Sequence, residues 1–120
     1  MKDERLYLIH IRECLDRIKR YTGQGREAFL TSELIQDAVL RNLQTMAESV
    51  KRLSQSFKED YPEVEWQEVI GLRNVLVHDY LDIDEVEIWD IVAQDLPPFE
   101  RHIETILQKL GGIETPSRIP

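Results

Sequence analysis

The segment EWQEVIGLRNVLVHDY, residues 65–80, is the part of the sequence that decides the fold. On a helix of about 3.6 residues per turn, its apolar residues fall on most sides instead of along one stripe. A helix of this kind belongs in the interior of a bundle or at a subunit interface. The second half of the same segment holds a cluster of polar residues, Arg73, Asn74, His78, Asp79 and Tyr80. Because buried polar groups are costly unless paired, this cluster is the first candidate for a functional site.

Amphipathic helical patterns flank this segment on both sides. The predicted helices run from Asp3 to Tyr21, from Ser32 to Phe57, from Glu65 to Tyr80, from Asp84 to Pro97-Pro98, and from Phe99 to Leu110. Asp3, Thr31 or Ser32, and Asp84 are the candidate N-caps.

The two prolines are expected to kink or split the fourth helix, because each lacks an N–H and its ring crowds the preceding turn. No sustained alternation of apolar and polar residues indicates a strand. The sequence therefore predicts an all-α antiparallel bundle of four to five helices over residues 1–110, followed by a flexible tail over residues 111–120.

Length and composition restrict the class of protein. The chain has 120 residues, of which 42% are apolar, and this suits one compact domain. It lacks the run of about 18 apolar residues that would predict a membrane span. The N-terminal MKDERLYLIH places charges where a signal peptide has its apolar core. A single cysteine, Cys14, excludes an internal disulfide framework, so a cytoplasmic location is expected.

Charge is distributed unevenly along the chain. The net charge is 15 − 23 = −8 with histidine neutral. Residues 1–58 carry 11 basic and 8 acidic residues, net +3, whereas residues 59–120 carry 4 and 15, net −11. Bulk attraction to nucleic acid is therefore not expected, although runs such as Arg17-Lys19-Arg20 and Lys51-Arg52 are candidates to steer RNA. Solvated helix faces are the more common role of such runs, and the acidic half also suits a protein-docking surface.

The polar cluster has two readings. A histidine and an arginine in a core helix are often bonded to backbone or carboxylate groups and have no catalytic role. In the functional reading, Arg73 binds a phosphate, His78 moves a proton and Asn74, four residues before His78 on the same face, orients one of them. The histidines lack paired carboxylates at metal-ligand spacing, and no glycine-rich phosphate loop is present. Metal-independent cleavage of RNA, whose 2′-hydroxyl is a built-in nucleophile, is then the chemistry favoured.

The stretch R-N-V-L-V-H-D-Y, residues 73–80, resembles the R-x(4)-H-x-Y motif of HEPN domains, specifically of the HepT-like toxin family. The flanks are also similar to that family. They are AVLRNLQTMAESVKRL (residues 38–53), with polar residues Arg41, Asn42 and Glu48, PEVEWQEVIGLRN (residues 62–74), and DIDEVEIWDIVAQDLP after the motif. Two small departures are Ala47, where many relatives have glycine, and Pro98, which adds a second proline.

The resemblance implies a helical HEPN fold and an RNA-cleaving toxin of a type II/VII-like toxin–antitoxin module. It implies a homodimer formed through the motif helix and a nucleotidyltransferase antitoxin of the MntA kind, which transfers AMP onto Tyr80. Arg73, His78 and Asn74 become the catalytic residues and Tyr80 the substrate-positioning and modified residue, with Glu48 and Asp79 in support. No cofactor or metal is implied. The alternative is a non-catalytic helical subunit that binds a nucleotide or a partner for a nucleotidyltransferase.

Overall fold

The computed structural model describes the backbone of residues 4–78 and 84–111, and the side chains of residues 4–72 and 84–111. Every regular element within these residues is helical. The elements are α1 (Glu4–Tyr21), α2 (Arg26–Leu30), α3 (Glu33–Arg52), α4 (Gln55–Glu59), α5 (Trp66–His78), α6 (Glu85–Asp90), a π-helical segment (Ile91–Asp95) and α7 (Leu96–Lys109). The prediction of an all-α helical bundle is confirmed.

Serine and aspartate side chains begin three of the helices. The Ser32 hydroxyl accepts a hydrogen bond from the Ile35 N–H at 3.1 Å, so Ser32 and not Thr31 caps α3. Asp84 accepts from the Glu87 N–H at 3.1 Å and caps α6, as predicted. These side chains satisfy N–H groups that have no partner in the first turn of a helix. The third predicted cap, Asp3, lies outside the described residues.

The predicted second helix was too long. The helix α3 ends at Arg52, Leu53 is extended, and Ser54 starts the short α4 by accepting a hydrogen bond from the Phe57 N–H at 3.1 Å. The Ser54 N–H also donates to the Glu4 carboxylate at 3.2 Å. Two interactions therefore stabilise the break. Ser54 caps α4 with its side chain, and its N–H bonds to Glu4 at the start of α1. The five-residue α2 was not predicted at all.

The proline pair interrupts the fourth helix in a specific way. Pro97 and Pro98 lie in the first turn of α7, and the five residues before them form the π-helical segment. A proline ring crowds the carbonyl four residues earlier, which here belongs to Ala93 or Gln94 within that segment. The wider π turn makes room for the rings, so the chain stays helical and the last helix starts at Leu96, earlier than the predicted Phe99.

The helices α1 and α3 form the antiparallel frame of the bundle. His10 bonds to Ser49 (Nδ1 to Oγ, 2.6 Å), and Arg17 donates to Asn42 (Nε to Oδ1, 3.1 Å). Residue numbers therefore increase along α1 in the direction in which they decrease along α3, so the two helices are antiparallel. The last helix, α7, joins α1 through an ion pair of 3.1 Å between Lys19 and Glu100. The helix α5 packs against α3 and carries the motif.

Apolar side chains from all the major helices form one continuous core. The residues that are fully enclosed include Leu8, Ile11, Leu43, Met46, Ile103 and Leu107. In the described part of the chain, no helix is both long enough and apolar enough to cross a membrane.

Trp66 fixes the start of α5. Its ring is buried and meets Phe99 of α7 edge-on, with the ring centroids 6.2 Å apart. The indole N–H donates to the carbonyl oxygens of Lys58 and Tyr61 at 3.2 and 3.0 Å. One side chain therefore joins the end of α4, the turn after it and α7 at the point where the motif helix begins.

We predict that Trp66→Phe lowers the free energy of unfolding by about 1–2 kcal/mol, because a buried donor and part of a large ring are lost. The loss stays modest because backbone N–H groups of Tyr61 and Val64 still bond to the same two carbonyls. Urea unfolding followed by circular dichroism measures the change. Trp89→Phe is the control, since Trp89 is only half-buried and keeps its ring contact with Phe29. Equal losses in both variants would contradict the role given to the Trp66 indole.

Candidate functional site

The helix α5 brings three of the predicted site residues onto one element. Arg73, Asn74 and His78 all lie in its last two turns. At about 1.5 Å of rise per residue, Asn74 and His78 are roughly 6 Å apart along the axis and share one side of the helix. The side chains of these three residues lie outside the described ones, and so do Asp79 and Tyr80 entirely. The convergence of the five polar groups therefore stays a prediction.

The neighbouring helix α3 supplies the predicted supporting residue. Glu48 is half-buried on α3, the helix against which α5 packs. Ala47, the residue directly before Glu48, is fully buried, so α3 has a small side chain in the interior of the bundle at this position. A carboxylate that is shielded in part from water interacts more strongly with a cation than an exposed one does. The supporting role of Glu48 beside Arg73 stays a prediction, because the Arg73 side chain lies outside the described residues.

The other two polar positions on α3 have different environments. Arg41 is exposed. Asn42 is buried, accepts from Arg17 and donates to the Ala38 carbonyl at 2.9 Å. Because both ends of its amide are bonded within the chain, Asn42 holds α1 against α3 and is not a free ligand for substrate.

A second group of reactive residue types lies between α1 and α3, away from the predicted cluster in sequence. His10 bonds to Ser49, and its other ring nitrogen lies 4.0 Å from the Cys14 sulfur. Burial raises the pKa of the Cys14 thiol above its ordinary value, so the sulfur is mainly protonated at neutral pH. Since the thiolate is the nucleophile, this arrangement does not provide a cysteine–histidine catalytic pair.

The two basic runs differ in how much charge they leave available. In Arg17-Lys19-Arg20, Arg17 is bonded to Asn42 and Lys19 is paired with Glu100. The hydrogen bond that Lys19 donates to Glu100 raises the pKa of Lys19, and the charge attraction between the two groups raises it further. The open groove beside this run also holds Glu13 and Asp16. The run is therefore poorly suited to attract RNA, whereas Lys51 and Arg52 are exposed at the end of α3.

Two features of the described residues could not be predicted from the sequence. Arg12 is buried, its Nη1 has no hydrogen-bond partner, and its nearest carboxylate oxygen, on Glu104, is 3.8 Å away. A cavity of about 190 Å³ lies between the first half of α5, the π-helical segment and α7. Both combine residues that are distant in sequence, so no local pattern reveals them. No group of three or more candidate metal ligands occurs within the described part of the chain.

Comparison with known proteins identifies the family. The model of a family described as "HepT-like: Ribonuclease HepT-like" matches residues 11–106, which include all of α5. This chain belongs to the HepT-like ribonuclease family. The match contains Arg73, Asn74, His78 and Tyr80. The family resemblance predicted from residues 73–80 and their flanks is confirmed.

Three relatives show how much of each chain is shared. A protein of Caldanaerobacter subterraneus subsp. tengcongensis named "Putative RNase" is 36% identical over 110 residues, 91% of this chain and 98% of its own. The "Probable ribonuclease HepT" of Thermococcus cleftensis is 32% identical over 101 residues, 83% of this chain and 92% of its own. The "Gamma-glutamylcyclotransferase and putative RNase" of Methanocaldococcus jannaschii is 34% identical over 110 residues, 91% of this chain.

This chain spans 50% of the length of the Methanocaldococcus protein, and nearly all of the other two. The shared part is therefore a unit that occurs both alone and beside another activity. No solved structure matches the chain significantly. The prediction of an enzyme of the ribonuclease class is confirmed through the family.

Proposed function

We propose that the chain is a metal-independent endoribonuclease that acts on cellular RNA as the toxin of a type II/VII-like toxin–antitoxin module. The observation that carries the proposal is the position of Arg73, Asn74 and His78 in the last two turns of one helix, inside the segment that matches the ribonuclease family. These residue types supply a fixed cation, a hydrogen-bonding amide and a group that titrates near neutral pH.

The proposed reaction uses the 2′-hydroxyl of the RNA as nucleophile. Its oxygen attacks the adjacent phosphorus, the bond to the 5′-oxygen of the next nucleotide breaks, and a 2′,3′-cyclic phosphate and a 5′-hydroxyl result. His78 accepts the proton of the 2′-hydroxyl or donates one to the leaving oxygen. Arg73 binds the phosphate and stabilises the charge that develops on it. Asn74 orients His78 or the phosphate, and Glu48 and Asp79 support these groups.

The proposed active site lies between two copies of the chain. A homodimer through α5 brings two motifs to one cleft, which is the arrangement implied by the family resemblance. A helix that is apolar on most sides belongs in an interior or at a subunit interface, and this sequence pattern of α5 supports such a dimer. A cytoplasmic location belongs to the same proposal, because RNA and a reduced cysteine both occur there.

The proposed regulation is the transfer of AMP to Tyr80 by an MntA-like nucleotidyltransferase antitoxin. The phenolic oxygen attacks the α-phosphorus of ATP, pyrophosphate leaves, and the phenolic proton passes to solvent or a nearby base. The new group adds bulk and a negative charge two residues from His78. Because the incoming RNA phosphate is also negative, steric and electrostatic effects both oppose its binding.

We predict that His78→Ala lowers the rate of RNA cleavage by about 10²–10⁴-fold, the usual contribution of a general acid or base. The measurement is the appearance of 2′,3′-cyclic phosphate ends on a labelled RNA, with circular dichroism to verify the fold. His10→Gln is the matched control, because glutamine still offers a hydrogen bond toward Ser49. Cleavage by His78→Ala at the wild-type rate would remove His78 from the mechanism.

We predict that Tyr80→Phe abolishes incorporation of AMP from labelled ATP in the presence of the antitoxin. Phenylalanine keeps the ring and removes only the acceptor oxygen. Tyr21→Phe is the control, since Tyr21 is half-buried at the end of α1 and lies under the Arg20 side chain. Intact-mass measurement detects each added AMP unit. An unchanged mass increase in Tyr80→Phe would assign the acceptor to another residue.

The alternative function is a non-catalytic subunit that binds a nucleotide or a partner for a nucleotidyltransferase. The observation that favours it is the charge of residues 59–120, net −11, which suits a protein partner better than RNA. Expression separates the two functions. We predict that the chain alone arrests growth and that co-expression with the product of a neighbouring nucleotidyltransferase gene restores it. Normal growth in both cases, with the chain present in soluble form, would favour the binding subunit.

A further inference from the structure

The cavity of about 190 Å³ has apolar walls and an acidic rim. Its walls are apolar side chains from two helices, Val69 and Leu72 of α5 together with Leu96 and Phe99 of α7. Val69, Leu96 and Phe99 are buried, and Leu72 is half-buried. The cavity is therefore an apolar pocket that already exists in the bundle, and the core does not have to rearrange to form it.

The rim of this pocket is acidic. Glu65, Glu68 and Asp95 line it and are all exposed. The half-buried His102 of α7 is the other ionisable residue of the lining, to which no lysine or arginine contributes. Glu65 directly precedes α5 and Glu68 lies in its first turn, whereas Asp95 ends the π-helical segment. Three carboxylates at one mouth repel a phosphate and attract a cation.

The volume restricts the size of the occupant. A cavity of about 150 Å³ holds one benzene molecule, and pockets for drug-sized ligands or cofactors are usually about 300–1,000 Å³. The pocket therefore fits one aromatic or branched side chain, and a nucleotide is too large as well as of the wrong charge. Interfaces between proteins are commonly organised around such anchors, in which one large side chain fills a pocket and charged groups surround it.

We infer that this pocket is a docking site for a segment of a partner protein in which an aromatic or branched apolar side chain is flanked by lysine or arginine. The apolar side chain fills the space between α5 and α7, and the basic residues face Glu65, Glu68 and Asp95. The acidic half of the chain, net −11, attracts such a partner at longer range. This inference goes beyond the RNA-cleavage proposal and does not depend on it.

The location of the pocket gives docking a route to the motif. Leu72 lines the pocket and is the residue directly before Arg73 on α5. The π-helical segment forms another part of the lining through Gln94 and Asp95, and π turns in helices frequently occur at functional sites. An occupant of the pocket therefore contacts the first half of the helix that carries Arg73, Asn74 and His78, as far as the residue before Arg73.

The test uses two short peptides that share one central phenylalanine, with flanking lysines in the first and flanking glutamates in the second. Each is titrated into the full-length, isotopically labelled chain, and binding is followed by changes in backbone NMR signals. We expect the lysine peptide to shift signals of Val69, Leu96 and Phe99, and to bind more weakly as salt is raised, since these charges are exposed. The glutamate peptide is expected not to bind.

Variants of the rim supply the matched comparison. Glu65→Lys/Glu68→Lys should weaken the lysine peptide by about tenfold or more, because two attractions become two repulsions. Glu13→Lys/Asp37→Lys makes the same change in net charge at two exposed positions elsewhere and should leave binding unchanged. Gln94→Trp, which places a large ring at the mouth of the pocket, should also prevent binding while the melting temperature shows that the fold is retained.

Several outcomes would overturn the inference. Equal binding of both peptides would remove the role of the carboxylates, and signal changes elsewhere on the chain would move the docking site. Phenethylamine binding as tightly as the lysine peptide would make the pocket a small-molecule site. A dimer that dissociates in Gln94→Trp, measured by sedimentation, would assign the pocket to a second copy of the chain. These experiments measure peptide binding and not RNA cleavage. A negative result would therefore contradict the docking site without affecting the proposed nuclease activity, which the His78→Ala measurement tests.

Discussion

The packing of α5 against its neighbours determines where the motif residues lie. A helix with apolar residues on most sides is stable only when other groups cover it. The helix α3 packs against α5, and α7 adds a contact through Phe99 against Trp66. Trp66 then fixes where α5 starts, because its indole N–H bonds to two carbonyls of the preceding turn. The spacing along one rigid helix determines where Arg73, Asn74 and His78 lie relative to that anchor.

The pattern of apolar residues predicted the fold well because it records which faces are buried. It predicted four principal helices, a cap for α3 at Thr31 or Ser32, the Asp84 cap and the interruption near Pro97-Pro98, all of which depend on residues close in sequence. It missed the break at Leu53 because Leu53 and Phe57 keep helical spacing across it. The decisive groups there are the Ser54 hydroxyl and Glu4, and Glu4 lies 50 residues away. The form of the proline interruption, a π-helical segment, depends on how the helix turns accommodate the rings.

The candidate site could be predicted from the sequence only in part. The motif residues are close along one helix, so their shared element follows from periodicity alone. The role of Asn42 does not, because its partner Arg17 belongs to another helix. Similarly, a half-buried Glu48 on the helix beside α5 becomes meaningful only once the packing of the two helices is known. Pairings between distant segments are set by tertiary packing, and a single sequence contains no direct record of them.

The negative charge of the chain places a condition on any RNA-binding site that it holds. Proteins that bind nucleic acid mainly through bulk electrostatics need many lysine and arginine contacts, and their affinity falls steeply with salt. Here the first basic run is largely bonded within the chain, and the second half is strongly acidic. Binding must then depend on a few well-placed contacts, with Arg73 as the one basic residue of the motif. The same acidic charge that weakens general attraction to RNA favours a basic protein partner.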